Sequence, residues 1–402
     1  RVGVEAPALY NAVAAEAPLR LDAFKPQELA NTVWAYSKVG FEAPLLFEAV
    51  AAEATKKMAK FNSHDIAVTV WAFAKADIPA PLMFEAAAVQ APALMKAFKP
   101  QNLANTVWAY ATAGVVAPLL FESMAKIARR KMKTFKPQEL ANVAWAYATA
   151  GFEAPDLFES LAQASTQKID GFKPQELANV VWAFAAVGFS APALFDYVAV
   201  EASKKMALFN PQDLGITVWA FAKVNVQAPR LYEAVSVEAQ KKVAALSPRA
   251  MANISWAYAT ANKQAPELFQ ALAGEATRKM STFQSQELSN TAWAFTTAGV
   301  AAPLLFEAMA DEAPAKIGSF TPQALSNTAW AFAKPGVEAP LLFDAVAREA
   351  QLQIQGFKST ELMKLSWAFR KASTTINAQN LLDAIDIEEN RRGLPLSSAR
   401  PH

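Results

Sequence analysis

The sequence lacks most of the residues on which enzymes and metal sites depend. It contains no cysteine and two histidines, His64 and His402, in 402 residues. Without cysteine there are no disulfides, thiolate metal sites or cysteine nucleophiles. A zinc site or a Ser-His-Asp triad would have to use those two histidines. Because phosphate-loop, dinucleotide-binding and HExxH motifs are also missing, we predict no enzymatic activity, no metal and no cofactor.

An excess of charge of one sign is also missing. Lys and Arg total 38 and Asp and Glu total 36, so the formal net charge is +2. Any basic surface must therefore be local. Residues 102–121 and 177–195 carry no charge, but each contains a Gly turn and a Pro helix start, which predicts a buried hairpin and no membrane span.

What is present is a repeat. All ten tryptophans are separated by 37 residues, and a fixed period of this length indicates a solenoid. They are Trp34, Trp71, Trp108, Trp145, Trp182, Trp219, Trp256, Trp293, Trp330 and Trp367.

Each repeat is punctuated as a helical hairpin. The stretch KPQELANTVWAYSKVG (25–40) has a Pro at its first helical turn and a Gly at its end, and APLLFEAVAAEATKKM (43–58) begins with a second Pro. We name the first helix of each repeat helix A and the second helix B. The fold class predicted is all-α, a right-handed α-solenoid of about ten 37-residue repeats with helix A concave and helix B convex.

The predicted boundaries follow from this register. Residues 1–23 match a helix B without its helix A, residues 24–375 hold the tandem repeats, residues 376–390 form a capping helix, and residues 391–402 form a tail.

Helical angles predict that helix A is buried on two faces. Leu29, Val33 and Tyr36 form one apolar face, and Trp34 belongs to a second, so we expect tryptophan in the core rather than in a stacking platform. The residue after each tryptophan is always Ala, which lets either a ligand or a neighbouring helix approach closely.

A narrow polar stripe remains, with Gln seven residues before Trp, Asn three before it and Lys or Thr four after it. Such regular amides, hydroxyls and ammonium groups suit a periodic polar polymer, although an Asn ladder also serves structure. The acidic residue six before Trp, such as Glu28, is a candidate acceptor for base amino groups but would repel phosphate. The candidate binding residues are Gln27, Asn31, Lys38, Lys75, Gln101, Asn105, Thr112, Gln138, Asn142, Thr149, Gln175, Asn179, Gln212, Lys223, Asn253, Thr260, Gln286, Asn290, Thr297, Gln323, Asn327 and Lys334.

A basic rim follows the helix ends. Cations at the end of helix B favour the helix dipole, and in a continuous row they also suit a phosphate chain. The candidate phosphate rim is Lys25, Lys56, Lys57, Lys99, Arg130, Lys131, Lys136, Lys173, Lys204, Lys205, Lys241, Lys242, Arg278 and Lys279.

The repeat unit FKPQELANTVWAYSKVG with APLLFEA resembles the heptatricopeptide-like repeats, relatives of the octotricopeptide repeats, over residues 1 to about 389. The PPPEW-type signature of octotricopeptide units is absent. This family includes organellar RNA-binding proteins similar to FAST-kinase-like and RAP-domain proteins, but the residues after Trp367 are too few for a complete RAP domain.

The resemblance implies an organellar protein that binds single-stranded RNA, about one base per repeat, in RNA maturation, stability or translation, in a mitochondrion or chloroplast. The alternative is an architectural subunit of a large organellar assembly, such as a ribosome, that holds rRNA or proteins. The expected partners are single-stranded RNA or rRNA and proteins of such a complex, and no small-molecule substrate is expected.

Overall fold

The computed structural model describes residues 6–372 and 376–393, and within these ranges the regular structure is entirely helical. This confirms the all-α repeat fold. Contacts divide the chain into two compact units, Arg1–Glu201 and Ala202–His402. We describe the helices of each unit in turn.

In unit 1 the A helices are α2 (Pro26–Val39), α4 (Ser63–Lys75), α6 (Pro100–Thr112), α8 (Pro137–Thr149) and α10 (Pro174–Val187). The B helices are α1 (Pro7–Glu16), α3 (Pro44–Lys57), α5 (Pro81–Gln90), α7 (Pro118–Lys131) and α9 (Pro155–Gln167). The next B helix, α11 (Pro192–Lys205), has residues on both sides of the division.

In unit 2 the A helices are α12 (Pro211–Lys223), α14 (Pro248–Thr260), α16 (Ser285–Ala298), α18 (Pro322–Ala333) and α20 (Ser359–Ala372). The B helices are α13 (Pro229–Lys241), α15 (Pro266–Arg278), α17 (Pro303–Lys316), α19 (Pro340–Leu352) and α21 (Ile376–Arg391). A short 3₁₀ turn follows most B helices, as Met58–Lys60 follows α3.

Local chemistry sets these boundaries. Gly40 ends α2 with φ +70°, a left-handed conformation that costs glycine no steric strain. Asn62 caps α4 by accepting hydrogen bonds from the backbone N–H groups of His64 and Asp65, at 2.8 and 3.0 Å. The predicted helix starts and ends are thus confirmed, and Asp77, with φ +55°, is a left-handed end that the sequence did not reveal.

Within each unit, A helices pack against A helices and B helices against B helices, with the core between the layers. In unit 1 the Tyr110 ring of α6 meets Phe84 of α5 edge-on, with centroids 5.1 Å apart, and its hydroxyl donates to the Phe84 carbonyl oxygen. Tyr147 and Phe121 repeat this arrangement one repeat later in the same unit. Burial raises the pKa of both tyrosines.

The first and last described helices pack against the neighbouring repeats. Helix α1 is a B helix that contacts α3, and α21 contacts α19 and α20. Helix α21 includes Arg391, which the prediction assigned to the tail. The predicted tail beyond residue 393 lies outside the described residues. Within the described residues, no helix has the length and apolar character needed to cross a membrane.

Candidate nucleic-acid interface

One line of exposed side chains runs along the surface of each A helix. In α2 it consists of Gln27, Asn31, Trp34 and Lys38, spaced i, i+4, i+7 and i+11, which places them within about 60° of one another around the helix. We call this set of four positions in each A helix the A stripe. It contains the predicted polar residues and, contrary to expectation, the tryptophan.

The predicted polar residues of the A stripe face outward. The glutamines are exposed: Gln27, Gln101, Gln138, Gln175, Gln212, Gln286 and Gln323. The residues four after Trp are exposed: Lys38, Lys75, Thr112, Thr149, Lys223, Thr260, Thr297 and Lys334. Asn31 is exposed, and the others are half-buried: Asn105, Asn142, Asn179, Asn253, Asn290 and Asn327.

The expectation that tryptophan lies in the core is wrong. Trp34 is 43% exposed and the other nine are half-buried, because the aromatic residue two positions later, such as Tyr36, fills the core instead. The indole is an amphipathic group that stays partly at the surface. The spacing of seven from Gln27 to Trp34 was the available signal, since residues seven apart share a helix face.

The tryptophans form surface stacks. In unit 1 the rings of Trp71, Trp108, Trp145 and Trp182 follow one another with centroids 6.4 Å apart and planes tilted by 32–36°. In unit 2, Trp219–Trp256 and Trp256–Trp293 are separated by 6.4 and 6.5 Å. Each unit thus presents a row of aromatic rings beside its asparagines.

The asparagine amides have little to bond within the chain. Among the described residues, the side chains of Asn31, Asn105, Asn142, Asn179, Asn253 and Asn290 have no protein hydrogen-bond partner. Asn327 differs, because its Oδ1 accepts from Lys364 Nζ at 2.8 Å. Each unpartnered amide retains two N–H donors and a carbonyl acceptor for an external group.

The alanine after each tryptophan serves helix packing. Nine of these ten alanines are buried, and only Ala35 is half-buried. Thr296 Oγ1 of α16 donates to the Ala331 carbonyl oxygen of α18 at 2.8 Å, which shows how closely neighbouring A helices approach there. Of the two alternatives, a neighbouring helix occupies this position.

The acidic residues near the start of helix A have a local role. Glu28 Oε2 accepts the Lys25 backbone N–H at 2.7 Å, and Glu139 and Glu176 accept the equivalent N–H groups at 2.8 and 2.9 Å. These bonds satisfy backbone donors at the helix start. The structure thus gives these carboxylates a helix-capping role that the sequence interpretation did not include, and their contact with base amino groups stays a prediction.

Basic residues at the end of helix B are of two kinds. In the first, the side chain is exposed, as in Lys56, Lys241 and Arg278, which are 72%, 64% and 68% exposed. The other exposed members of the predicted rim are Lys25, Lys99, Arg130, Lys136, Lys173 and Lys204.

The second kind reaches back to the preceding repeat. Lys57 Nζ donates to the carbonyl oxygens of Asp22 and Phe24 at 2.7 and 2.8 Å, and lies 2.9 Å from Glu53 Oε1. This contact lowers the pKa of the Glu53 carboxyl. We call such residues rung lysines, and they are Lys57, Lys131, Lys168, Lys242, Lys279 and Lys316.

The rung lysines divide the predicted phosphate rim. Each satisfies carbonyl groups at the end of a 3₁₀ turn, which are acceptors without a helical partner. Lys57, Lys131, Lys242 and Lys279 therefore hold repeats together, and a phosphate would have to displace those bonds. Lys205 occupies the equivalent position and is half-buried. Lys168 and Lys316 are also rung lysines, and neither belongs to the predicted phosphate rim.

Stacked helical hairpins with a periodic line of amide, indole, hydroxyl and ammonium groups define a helical-repeat protein with a repeated polar and aromatic surface. No group of three or more metal-binding side chains occurs in the part of the chain that the structure describes.

The chain belongs to the family described as RNA-editing substrate-binding complex 6 protein, whose model matches residues 1–205 and again residues 165–393. This membership confirms a helical-repeat protein of an RNA-associated family, and the narrower resemblance to heptatricopeptide-like repeats stays a prediction. No curated protein matches the chain.

Proposed function

We propose that this chain binds single-stranded RNA along the A stripe, acting by binding rather than catalysis, as a component of a mitochondrial RNA-editing complex. The observation that carries this proposal is the row of half-buried asparagine amides without protein partners beside stacked tryptophan rings. Each amide keeps its N–H donors and its carbonyl acceptor available, so an external ligand can bond to it in place of water.

The chemistry of the stripe suits an unpaired strand. Bases of single-stranded RNA stack on aromatic rings and hydrogen-bond through edges that a duplex would conceal. The Asn and Trp positions are nearly uniform, so they fit contacts shared by all nucleotides. Sequence preference would have to come from the position four after Trp, where Lys38, Thr112 and Ala186 differ.

The family supports the cellular setting. Its description names an RNA-editing substrate-binding complex, and such complexes are mitochondrial in kinetoplastids. We therefore favour a mitochondrial location, and the chloroplast alternative gains no support. A role in maturation of organellar transcripts fits this description better than a role in a ribosome.

A second function, holding proteins of the same complex, is favoured by an apolar row on unit 1. Leu45, Leu82 and Leu119 lie in the first turns of α3, α5 and α7 and are 75%, 69% and 75% exposed. Exposed apolar side chains in a row are typical of protein contacts. The two functions are compatible because the leucines belong to B helices and the A stripe to A helices.

Binding to fluorescein-labelled random single-stranded RNA of about ten nucleotides, measured by anisotropy, tests the proposal. The test variant is Asn105→Ala with Asn142→Ala, and the control is Glu122→Ala with Lys126→Ala, an exposed ion pair on α7. Both changes leave net charge unaltered. We expect the asparagine variant to weaken binding about tenfold and the control to bind like the unaltered chain.

Two results would contradict RNA binding on the A stripe. The unaltered chain binding no RNA at low salt would overturn autonomous recognition and favour the protein-holding function. Equal affinity of both variants and the unaltered chain would place the RNA elsewhere on the surface.

A further inference from the structure

The tenth repeat departs from the others at the asparagine position of the A stripe. Lys364 stands there, and its Nζ donates to Asn327 Oδ1 of the preceding repeat at 2.8 Å. The same Nζ lies 6.0 Å from the centroid of the Trp330 ring. The side chain thus reaches one repeat back and contacts two of the four A-stripe residues of the ninth repeat, Asn327 and Trp330.

Two other lysines lie over the tryptophan rings of the last two repeats. Lys334 Nζ lies 4.7 Å from the Trp330 ring centroid, and Lys371 Nζ lies 5.2 Å from that of Trp367. Lys371 also donates to the Lys334 carbonyl oxygen at 2.9 Å. Within the described residues, no ring contact joins Trp293 to Trp330, so the tryptophan stack of unit 2 ends at Trp293.

The contact of Lys364 shows what the open sites would accept. An Asn oxygen beside an indole face offers a hydrogen-bond acceptor and an electron-rich surface, which together suit an N–H donor on a flat or cationic group. Lys364 is half-buried there and bonded to Asn327, so its amino group lies in the site rather than extending into solvent. Burial also lowers its pKa.

Resting on the proposed function, we infer that Lys364 fills from within the chain a subsite that Asn327 and Trp330 would otherwise offer to one ribonucleotide, which would stack on the ring and donate a hydrogen bond to the amide oxygen. The RNA-binding surface of unit 2 therefore ends before Trp330. Lys364 acts as an internal stop that sets how many nucleotides unit 2 holds.

Restoring the repeat tests this inference. Lys364→Asn places the common residue at this position and frees Asn327 and the part of the Trp330 ring that Lys364 contacts, while Lys334 stays beside that ring as in the unaltered chain. The control Lys364→Met removes the same charge but keeps a long side chain beside the Trp330 ring. Anisotropy of labelled random single-stranded RNAs from about six to about fourteen nucleotides, a range that brackets one base per repeat, gives affinity and the shortest length that binds fully.

We expect Lys364→Asn to tighten binding about fivefold, as one added base stacked on an aromatic ring would. The shortest fully bound RNA should lengthen by about one nucleotide, and Lys364→Met should show neither gain. Weaker binding by both variants would overturn the inference, because Lys364 would then contact phosphate. Equal gains by both variants, or no change in either, would also overturn it. If the unaltered chain binds no RNA, the proposed function itself fails.

Discussion

Two regions of the molecule carry the same tryptophan at the same interval and present it differently. In unit 1, Trp71 to Trp182 stack on one another, and the neighbouring Asn105, Asn142 and Asn179 have no protein partner among the described residues. At the end of unit 2, Trp330 and Trp367 lie under lysine ammonium groups. One region is open to a ligand and the other is covered by its own chain.

The difference arises at few positions. The backbone repeats in both regions, but Lys364 replaces asparagine and is long enough to reach the preceding repeat. Val68 and Ile216 also replace asparagine, and neither carries a hydrogen-bonding group. On the proposed function, a substitution at the asparagine position of one repeat therefore changes how many nucleotides the A stripe holds, without a change in fold.

Removing one tryptophan from each region gives the largest expected effect. Trp145→Ala should lower affinity for single-stranded RNA by about 1–3 kcal/mol, or roughly 5- to 150-fold, because a stacked base loses its platform. Trp367→Ala should change affinity less than about twofold, since Lys371 already covers that ring. Anisotropy measures both, and circular dichroism verifies that both variants are folded. Similar losses in the two variants would break the comparison between the regions.

The rung lysines occur in both regions, so they should affect stability without altering the contrast in RNA binding. Lys131→Met removes the donor to the Phe98 carbonyl oxygen and should lower the free energy of unfolding by about 1–2 kcal/mol. Lys316→Met should do the same in unit 2. Urea denaturation followed by circular dichroism provides the measurement.

A matched control for the rung is Lys133→Met, an exposed side chain two residues later, which should change stability by less than about 0.5 kcal/mol. If Lys131→Met instead leaves stability unchanged and weakens RNA binding, the rung is a phosphate contact. The predicted phosphate rim would then include the rung lysines as well as the exposed cations.

Periodicity in the sequence was sufficient to predict the repeat, its hairpins and most helix ends, because Pro, Gly and capping residues act within a few positions. It failed where a side chain contacts another repeat. The Lys57 ammonium bonds carbonyls 33 to 36 residues away, a contact that a single helical wheel does not contain. The exposure of Trp34 was missed because hydrophobic patterning treats indole as a core group.

Periodicity also predicted which residues share the A stripe, but not which of them are bonded to a neighbouring repeat. Glutamine, asparagine and Lys/Thr columns lie on one helix face, as helical angles require. Whether an asparagine amide is bonded depends on the residue at the same position of the next repeat. Asn179 makes no bond to Asn142, whereas Lys364 donates to Asn327. The bond between the Glu139 carboxylate and the Lys136 backbone N–H lies within the first turn of α8, and the sequence analysis considered only a contact with bases at this position.

The smallest effect should arise at the C-terminal end of unit 2 and depend on pH. Arg392 of the turn after α21 donates to the Phe357 carbonyl oxygen at 2.7 Å, as rung lysines do elsewhere, and Glu388 Oε1 lies 2.6 Å from Arg392 Nε. Bonding to Arg391 and Arg392 lowers the pKa of Glu388 from 4.5 to about 2. A carboxyl with a lowered folded-state pKa stabilises the fold above its unfolded pKa and loses that contribution as pH falls through the folded one.

Glu388→Gln should therefore weaken the attachment of α21 at pH 7, and its difference from the unaltered chain should shrink between pH 4.5 and about 2. Amide hydrogen exchange of α21 across this range measures the attachment. Glu122→Gln, which breaks an exposed pair with Lys126, is the control and should show almost no difference, because exposed ion pairs contribute little. A Glu388→Gln effect that persists unchanged at the lowest pH would mean that the carboxyl acts by packing. In that case α21 covers the closed end of unit 2 through its apolar contacts, with Leu381 and Ile385 fully buried.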